Sequence, residues 1–294
     1  MDQAEQLRNI IRTKTRPQTV SRVVTVTSGK GGVGKTSLSV NLAIQLQKMG
    51  KRVVILDADF GLANIEVMLG VRPTANLADL MFKGKSIKEI IMPGPEGIGF
   101  ISGGSGIKEL VHLSRDQIFY VLQSLTELDD IADIIIVDTG AGITESVLDF
   151  AAASEEVLLV VTPEPTSITD AYALLKNLNR TQEFEASRTV IKLVSNCVRN
   201  KKEGQDIFDK VSVVADKFLN VQLEYLGAIV NDANVSKAVM QQNPFILAYP
   251  YSSASMSIIE LTNMLDENVK GSFYEKRGIK QLFTRLIQAK LKNR

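Results

Sequence analysis

The chain has 294 residues, 45% of them hydrophobic and 23% charged, with a formal net charge of +1. That balance excludes a disordered or fibrous chain and leaves enough apolar side chains for one large α/β domain with appendages, or for two small domains. The single cysteine, Cys197, excludes a disulfide framework and the paired thiolates of an iron–sulfur cluster; the single histidine, His112, excludes a His-rich metal site. Cys197 reads as a core residue at a strand end, and His112 as an ordinary helix or surface residue.

The charge is unevenly placed. Residues 276–294 hold Lys276, Arg277, Lys280, Arg285, Lys290, Lys292 and Arg294 with no acid, which leaves 27 bases and 33 acids for residues 1–275. A mildly acidic body with a basic tail points to an anionic partner for the tail alone. No leader-like segment opens the chain and no apolar run approaches the ~18 residues of a spanning helix, so the expected location is the cytoplasm.

In chain order, Asp2 to Ile11 can form a short helix, with Ala4, Leu7 and Ile11 on one face and Arg8 and Arg12 late, as the macrodipole prefers. Ten isolated residues make a marginal helix. Thr13 to Ser21, with Pro17, reads as a linker. From Val23 onward, apolar β-branched runs alternate with longer helical patterns. The runs are Val23–Thr27, Val53–Leu56, Ile134–Val137, Val157–Val161 and Val190–Val194, and their near-continuity marks strands buried on both faces. Helical patterns cover Ser37–Met49, Gln117–Leu128, Asp170–Asn179 and Asp206–Phe218. Such alternation predicts an α/β fold with a mainly parallel central sheet flanked by helices on both faces. Ligands of such sheets bind at the carboxyl ends of the strands.

The motifs fall there. Ser28-Gly29-Lys30-Gly31-Gly32-Val33-Gly34-Lys35-Thr36, followed by Ser37, fits the phosphate-loop pattern G-x-x-x-x-G-K-[ST] through Gly29, Gly34, Lys35 and Thr36. Its glycines let backbone N–H groups curl round a polyphosphate at a helix N-terminus. Lys35 would reach the β/γ-phosphates and the Thr36 hydroxyl would bind Mg²⁺. Lys30 is arbitrary in a bare phosphate loop. Two apolar strands end in carboxylates, Asp57 and Asp59 in VVILDADFGLAN and Asp138 in DIIIVDTGAG. Asp after a strand is common turn chemistry, but beside a phosphate loop it suits a Mg²⁺ shell.

The string KGGVGKT resembles the deviant phosphate loop of the MinD/ParA family of P-loop NTPases, and the resemblance runs over about residues 23–260. It implies that Lys30 crosses a dimer interface to touch the partner's nucleotide, making an ATP-dependent homodimer. It further implies that Asp57 supports the metal and Asp59 orients the attacking water, with Gly61 and Asn64 in the same switch segment. Asp138, Thr139, Gly140 and Gly142 would sense the γ-phosphate. Asn196 would bond adenine, with Pro250 and Tyr251 in a second base-contacting loop. GAIVNDANV departs from the family in having Val230 where relatives often carry Pro before the Asp, here Asp232. Slow ATP hydrolysis that requires the dimer is the implied activity, since a lysine delivered in trans acts like an arginine finger.

Both ends add to this. Ile279, Leu282, Phe283, Leu286, Ile287 and Leu291 form one helical stripe backed by basic residues, the pattern of a helix lying on an anionic membrane, or of a terminal helix packed on the core. MinD-type chains end in such a targeting helix. One helix binds weakly; two on a dimer gain avidity. At the other end, Asp2-Gln3-Ala4 with Leu7-Arg8 resembles the N-terminal motif of the flagellar-number regulators FlhG (FleN, YlxH). There the segment docks on the SRP-type GTPase FlhF and stimulates its hydrolysis, with Gln3 as the matching catalytic contribution. The expected organisation is a partner segment and linker over 1–22, an ATPase domain over 23–271 and a membrane-targeting helix over 272–294. Flagellar basal-body or transcription-regulator proteins are further candidate partners; sequence-specific nucleic-acid binding is not expected. The alternatives are a MinD-like division-site positioner, a ParA-like DNA-partition ATPase, and a nucleotide-gated adaptor with negligible hydrolysis.

Overall fold

The computed structural model describes residues 20–59, 64–104, 113–181, 184–219, 221–271 and 278–292. The N-terminal candidates Asp2, Gln3, Ala4, Leu7 and Arg8, together with Gly61 and His112, lie outside the described residues. Among the described residues, strands β1 (Arg22–Thr27), β2 (Val53–Ala58), β3 (Met92–Pro93), β4 (Gly99–Ser102), β5 (Ile134–Thr139), β6 (Glu156–Val161), β7 (Val190–Val198) and β8 (Leu223–Val230) form one sheet in the order β3-β4-β2-β5-β1-β6-β7-β8. Every pairing is parallel except that of β3 with β4.

Alternate residues of one strand serve opposite faces. Val53 and Ile55 enter the core beneath α1 (Lys35–Lys48), α2 (Asn64–Leu69) and residues of a later helix, Ser253–Gly271. Val54 and Leu56 face the other way, onto α3 (Leu77–Lys83), α4 (Ile87–Ile90), α5 (Arg115–Thr126) and α6 (Leu128–Ile131). A third cluster packs α7 (Glu145–Ala153), α8 (Pro165–Leu178) and α9 (Lys201–Leu219) on β6 and β7. The remaining helices are α10 (Ala233–Met240), α11 (Phe245–Ala248), α12 (Ser253–Gly271) and α13 (Gly278–Lys292). The predicted α/β architecture is the observed one.

Two differences from the sequence reading have plain causes. Strand β8 escapes the apolar-run criterion because Gly227 interrupts it; that glycine has φ +145°, and a Cβ there would lie 2.8 Å from Leu261 Cδ2. The C-terminal stripe is covered by protein in this structure. Ile279, Leu282, Phe283, Leu286 and Ile287 are buried against α5, α6 and Phe150 of α7. The side chain of Leu291 is outside the described set. A period of 3.6 records that one face must leave water, and here the core removes it.

Candidate active site

The loop from Ser28 to Thr36 links the end of β1 to the first turn of α1. Gly34, at φ +91°, caps that helix, and a Cβ on it would fall 2.4 Å from Asn196 Nδ2. A Cβ on Gly29 would fall 2.1 Å from the Asp170 carbonyl oxygen, so backbone packing fixes this glycine. The loop borders a cavity of about 450 Å³ shared by Gly31, Gly32, Lys35, Thr36, Ser37, Asp59, Asn64 and Thr139. Lys35 is buried, its ammonium donating to Ser28 Oγ at 2.9 Å. Burial holds its pKa below the ordinary lysine value, against the opposing pull of Asp138 and Asp59.

Three carboxylates face this loop. Asp57 and Asp138 are register partners on β2 and β5. Asp138 receives Thr36 Oγ1 on one oxygen and Ser39 Oγ on the other, each at 2.7 Å. Thr36 and Ser39 lie one turn apart on α1, which is why one helix reaches both oxygens. Ser39 is a site residue that sequence reading missed; its i, i+3 spacing from Thr36 was the available signal. Asp59 is anchored at its backbone N–H by Asp57 Oδ1 (3.0 Å) and at Oδ2 by Asn64 Nδ2 (3.2 Å). Desolvation pushes Asp57 up to about 8 and Asp138 up to about 6, the latter restrained by its two hydroxyl donors. Adjacent, desolvated carboxylates beside a threonine hydroxyl fit a divalent cation. Among the described residues no group of three or more His, Cys, Asp or Glu is placed to hold a metal ion by itself; a Mg²⁺ here would need waters and phosphate oxygens in its shell.

Beside the loop lies a second cavity of about 220 Å³, bordered by Gly34, Asn196, Cys197, Ile229, Asn231, Asp232 and Ser236. Asn196 Nδ2 donates to the Val33 carbonyl at 2.7 Å, tying this cavity to the phosphate loop. Residues 19–266 match the ParA family, described as an NUBPL iron-transfer P-loop NTPase.

The chain is a ParA/MinD-family P-loop ATPase. It is 43% identical over 245 residues to the antiactivator FleN of Pseudomonas aeruginosa, covering 83% of this chain and 86% of that one. It is 34% identical over 273 residues to the flagellum site-determining protein YlxH of Helicobacter pylori, covering 91% and 90%. Its fold resembles the septum site-determining protein MinD complexed with Mg-ADP from Pyrococcus horikoshii, with a TM-score of 0.65, 21% identity, and coverage of 85% and 97%. An iron–sulfur cargo would need paired thiolates, and this ParA/MinD ATPase has Cys197 alone.

Within this ATPase, three expectations need correction or detail. Lys30 turns away from the cradle: its ammonium pairs with Glu164 and donates to Thr166 Oγ1 at 2.8 Å, at the start of α8. Pro250 and Tyr251 do not border the second cavity, and Tyr251 is 92% exposed. On either side of that segment, Ile246 N donates to Asn41 Oδ1 and Ser255 Oγ donates to the Tyr249 carbonyl. That cavity is bordered by Asn231, Asp232, Val235 and Ser236, and Asp232 accepts from Asn234 N and Ala254 N. Cys197 is exposed rather than in the core; at φ +57° it lies where the pairing of β7 with β8 shifts register, between Ser195 and Val198.

Proposed function

We propose that this chain is an ATP-driven dimerisation switch that sets the number or placement of flagella and moves between the cytoplasm and the inner face of the cell membrane. The relatives named FleN and YlxH support the flagellar role. The observation that carries the switch is the direction of Lys30. A lysine serving its own nucleotide would point into the cradle, as Lys35 does; Lys30 lies at the rim, partly exposed, where a second copy can receive it.

In the proposed cycle Lys35 neutralises the β/γ-phosphates, Asn196 and the Asn231–Ser236 wall hold the base, and Asp59, fixed by Asn64, orients the attacking water. Thr36, Asp57 and Asp138 would hold Mg²⁺, which supplies further positive charge at the phosphates. Phosphoryl transfer needs mainly such positioning and charge neutralisation. Lys30 of a second copy completes the charge, so turnover is slow and requires the dimer. Membrane residence follows from α13, whose apolar stripe must leave the core to reach lipid. No helix among the described residues is long and apolar enough to cross a membrane. Residues 1–22 are proposed to bind the GTPase FlhF, with Gln3 at its site.

Counting flagella by electron microscopy in cells carrying Lys35→Ala tests the role. A changed number or position is expected, and a pattern equal to wild type overturns it. Removing residues 1–20 should spare ATP hydrolysis and abolish stimulation of the GTPase; equal stimulation by the truncated chain defeats that assignment.

A further inference from the structure

We propose that Lys290 is an electrostatic latch through which the loop after Asp138 controls the docking of α13; this rests on reading the chain as an ATP-driven switch. The Lys290 ammonium donates to Glu145 Oε1 and forms an ion pair with Asp149 Oδ2, each at 2.7 Å. The two carboxylates are one turn apart on α7, a spacing at which like charges repel. Lys290 bridges that pair and offsets one of its two charges. Its side chain is 18% exposed and that of Asp149 7%, so the contact is less screened than a surface ion pair, while Glu145 stands 66% exposed.

The two arms of the latch differ in what moves them. Glu145 is the first residue of α7, directly after Thr144, whose hydroxyl caps the helix at Val147 N. The end of β5 at Thr139 and the loop residue Ala141 border the larger cavity, and Gly142 N donates to the Ser28 carbonyl at 3.2 Å. A rearrangement of this loop around a terminal phosphate therefore displaces Glu145 before the rest of α7. Asp149 is buried in the body of the helix and stays. The other hold on α13 is the apolar stripe, which is non-directional and senses no phosphate. Lys290 is a directional contact on the path from nucleotide to helix.

Amide hydrogen exchange over residues 278–290 of the full chain, without lipid, reads the latch directly. Wild type, Lys290→Gln and Glu145→Gln are compared in ADP and in ATP with Mg²⁺. The wild-type helix exchanges slowly in ADP and faster in ATP. Lys290→Gln raises the ADP-state rate about tenfold, as loss of a charge-assisted hydrogen bond does, and leaves the ATP state unchanged. Glu145→Gln, at an exposed position that does not threaten folding, gives a smaller rise in the same direction. A wild type that responds to ATP beside two variants that match it overturns the latch and leaves the switch standing. Equal wild-type exchange in both nucleotides overturns the switch, and the latch with it.

Discussion

Asp57 and Asp138 sit side by side in register on β2 and β5, and both are almost wholly buried. Burial and mutual repulsion raise Asp57 to about 8 and burial raises Asp138 to about 6, above the ~4 of an unfolded aspartate. Between those values the nucleotide-free native state holds more protons than the unfolded chain, so its stability falls as pH rises. The melting temperature of the nucleotide-free protein should decline from pH 5 to pH 8. Asp57→Asn should remove most of that slope and raise Tm at pH 8 by about 5 °C. Scanning calorimetry across the window checks this, and a wild-type Tm that climbs with pH contradicts it.

Ser39→Ala removes one of the two donors to a fully buried carboxylate. The cost should be about 1–3 kcal/mol in stability. Loss of orientation at Asp138 should also raise the Mg²⁺ concentration needed for half-maximal ATP hydrolysis about tenfold. Ser39→Thr should restore both. An unchanged Mg²⁺ titration would confine Ser39 to packing.

Asn196 borders the second cavity and bonds the Val33 carbonyl. Asn196→Ala should raise the KM for ATP about tenfold, the loss of one or two hydrogen bonds, with kcat falling less than threefold. A fall confined to kcat would place Asn196 in the chemistry instead.

Lys30 has to leave Glu164 and Thr166 before it can serve a second copy. Glu164→Ala should therefore favour the ATP-bound dimer. The pair is partly exposed, at 33% and 63%, and such pairs are worth about 0.2–1 kcal/mol. The expected gain is about two- to fivefold in dimer affinity by analytical ultracentrifugation. A weaker dimer would mean that Glu164 itself belongs to the interface.

The sheet was legible where both faces are buried. Val53–Leu56 and Ile134–Val137 are unbroken apolar runs ending in aspartates, so strand, position and chemistry could be read together. Strand β8 was not, because Gly227 breaks its run, nor was α12, which opens on the turn-like Ser253-Ala254-Ser255. The phosphate loop and its carboxylates were legible because their residue types and spacing are dictated by one ligand. The wall of the second cavity was harder. Residue type does not say whether Tyr251 or Asn231 borders it; only the folded chain puts Asn231 there and leaves Tyr251 exposed. The C-terminal stripe was legible as a helix with one dry face. Lipid and core impose the same period, so its cover became visible only with α5 and α7 in place.

The central claim is that ATP converts a monomer into a dimer completed by Lys30. Size-exclusion chromatography with light scattering on Asp59→Ala, which should trap ATP unhydrolysed, tests it most directly. The account predicts about 32 kDa in ADP, the mass of one chain, and twice that mass in ATP with Mg²⁺, with the shift lost in Lys30→Ala. A single unchanged mass in both nucleotides would contradict it.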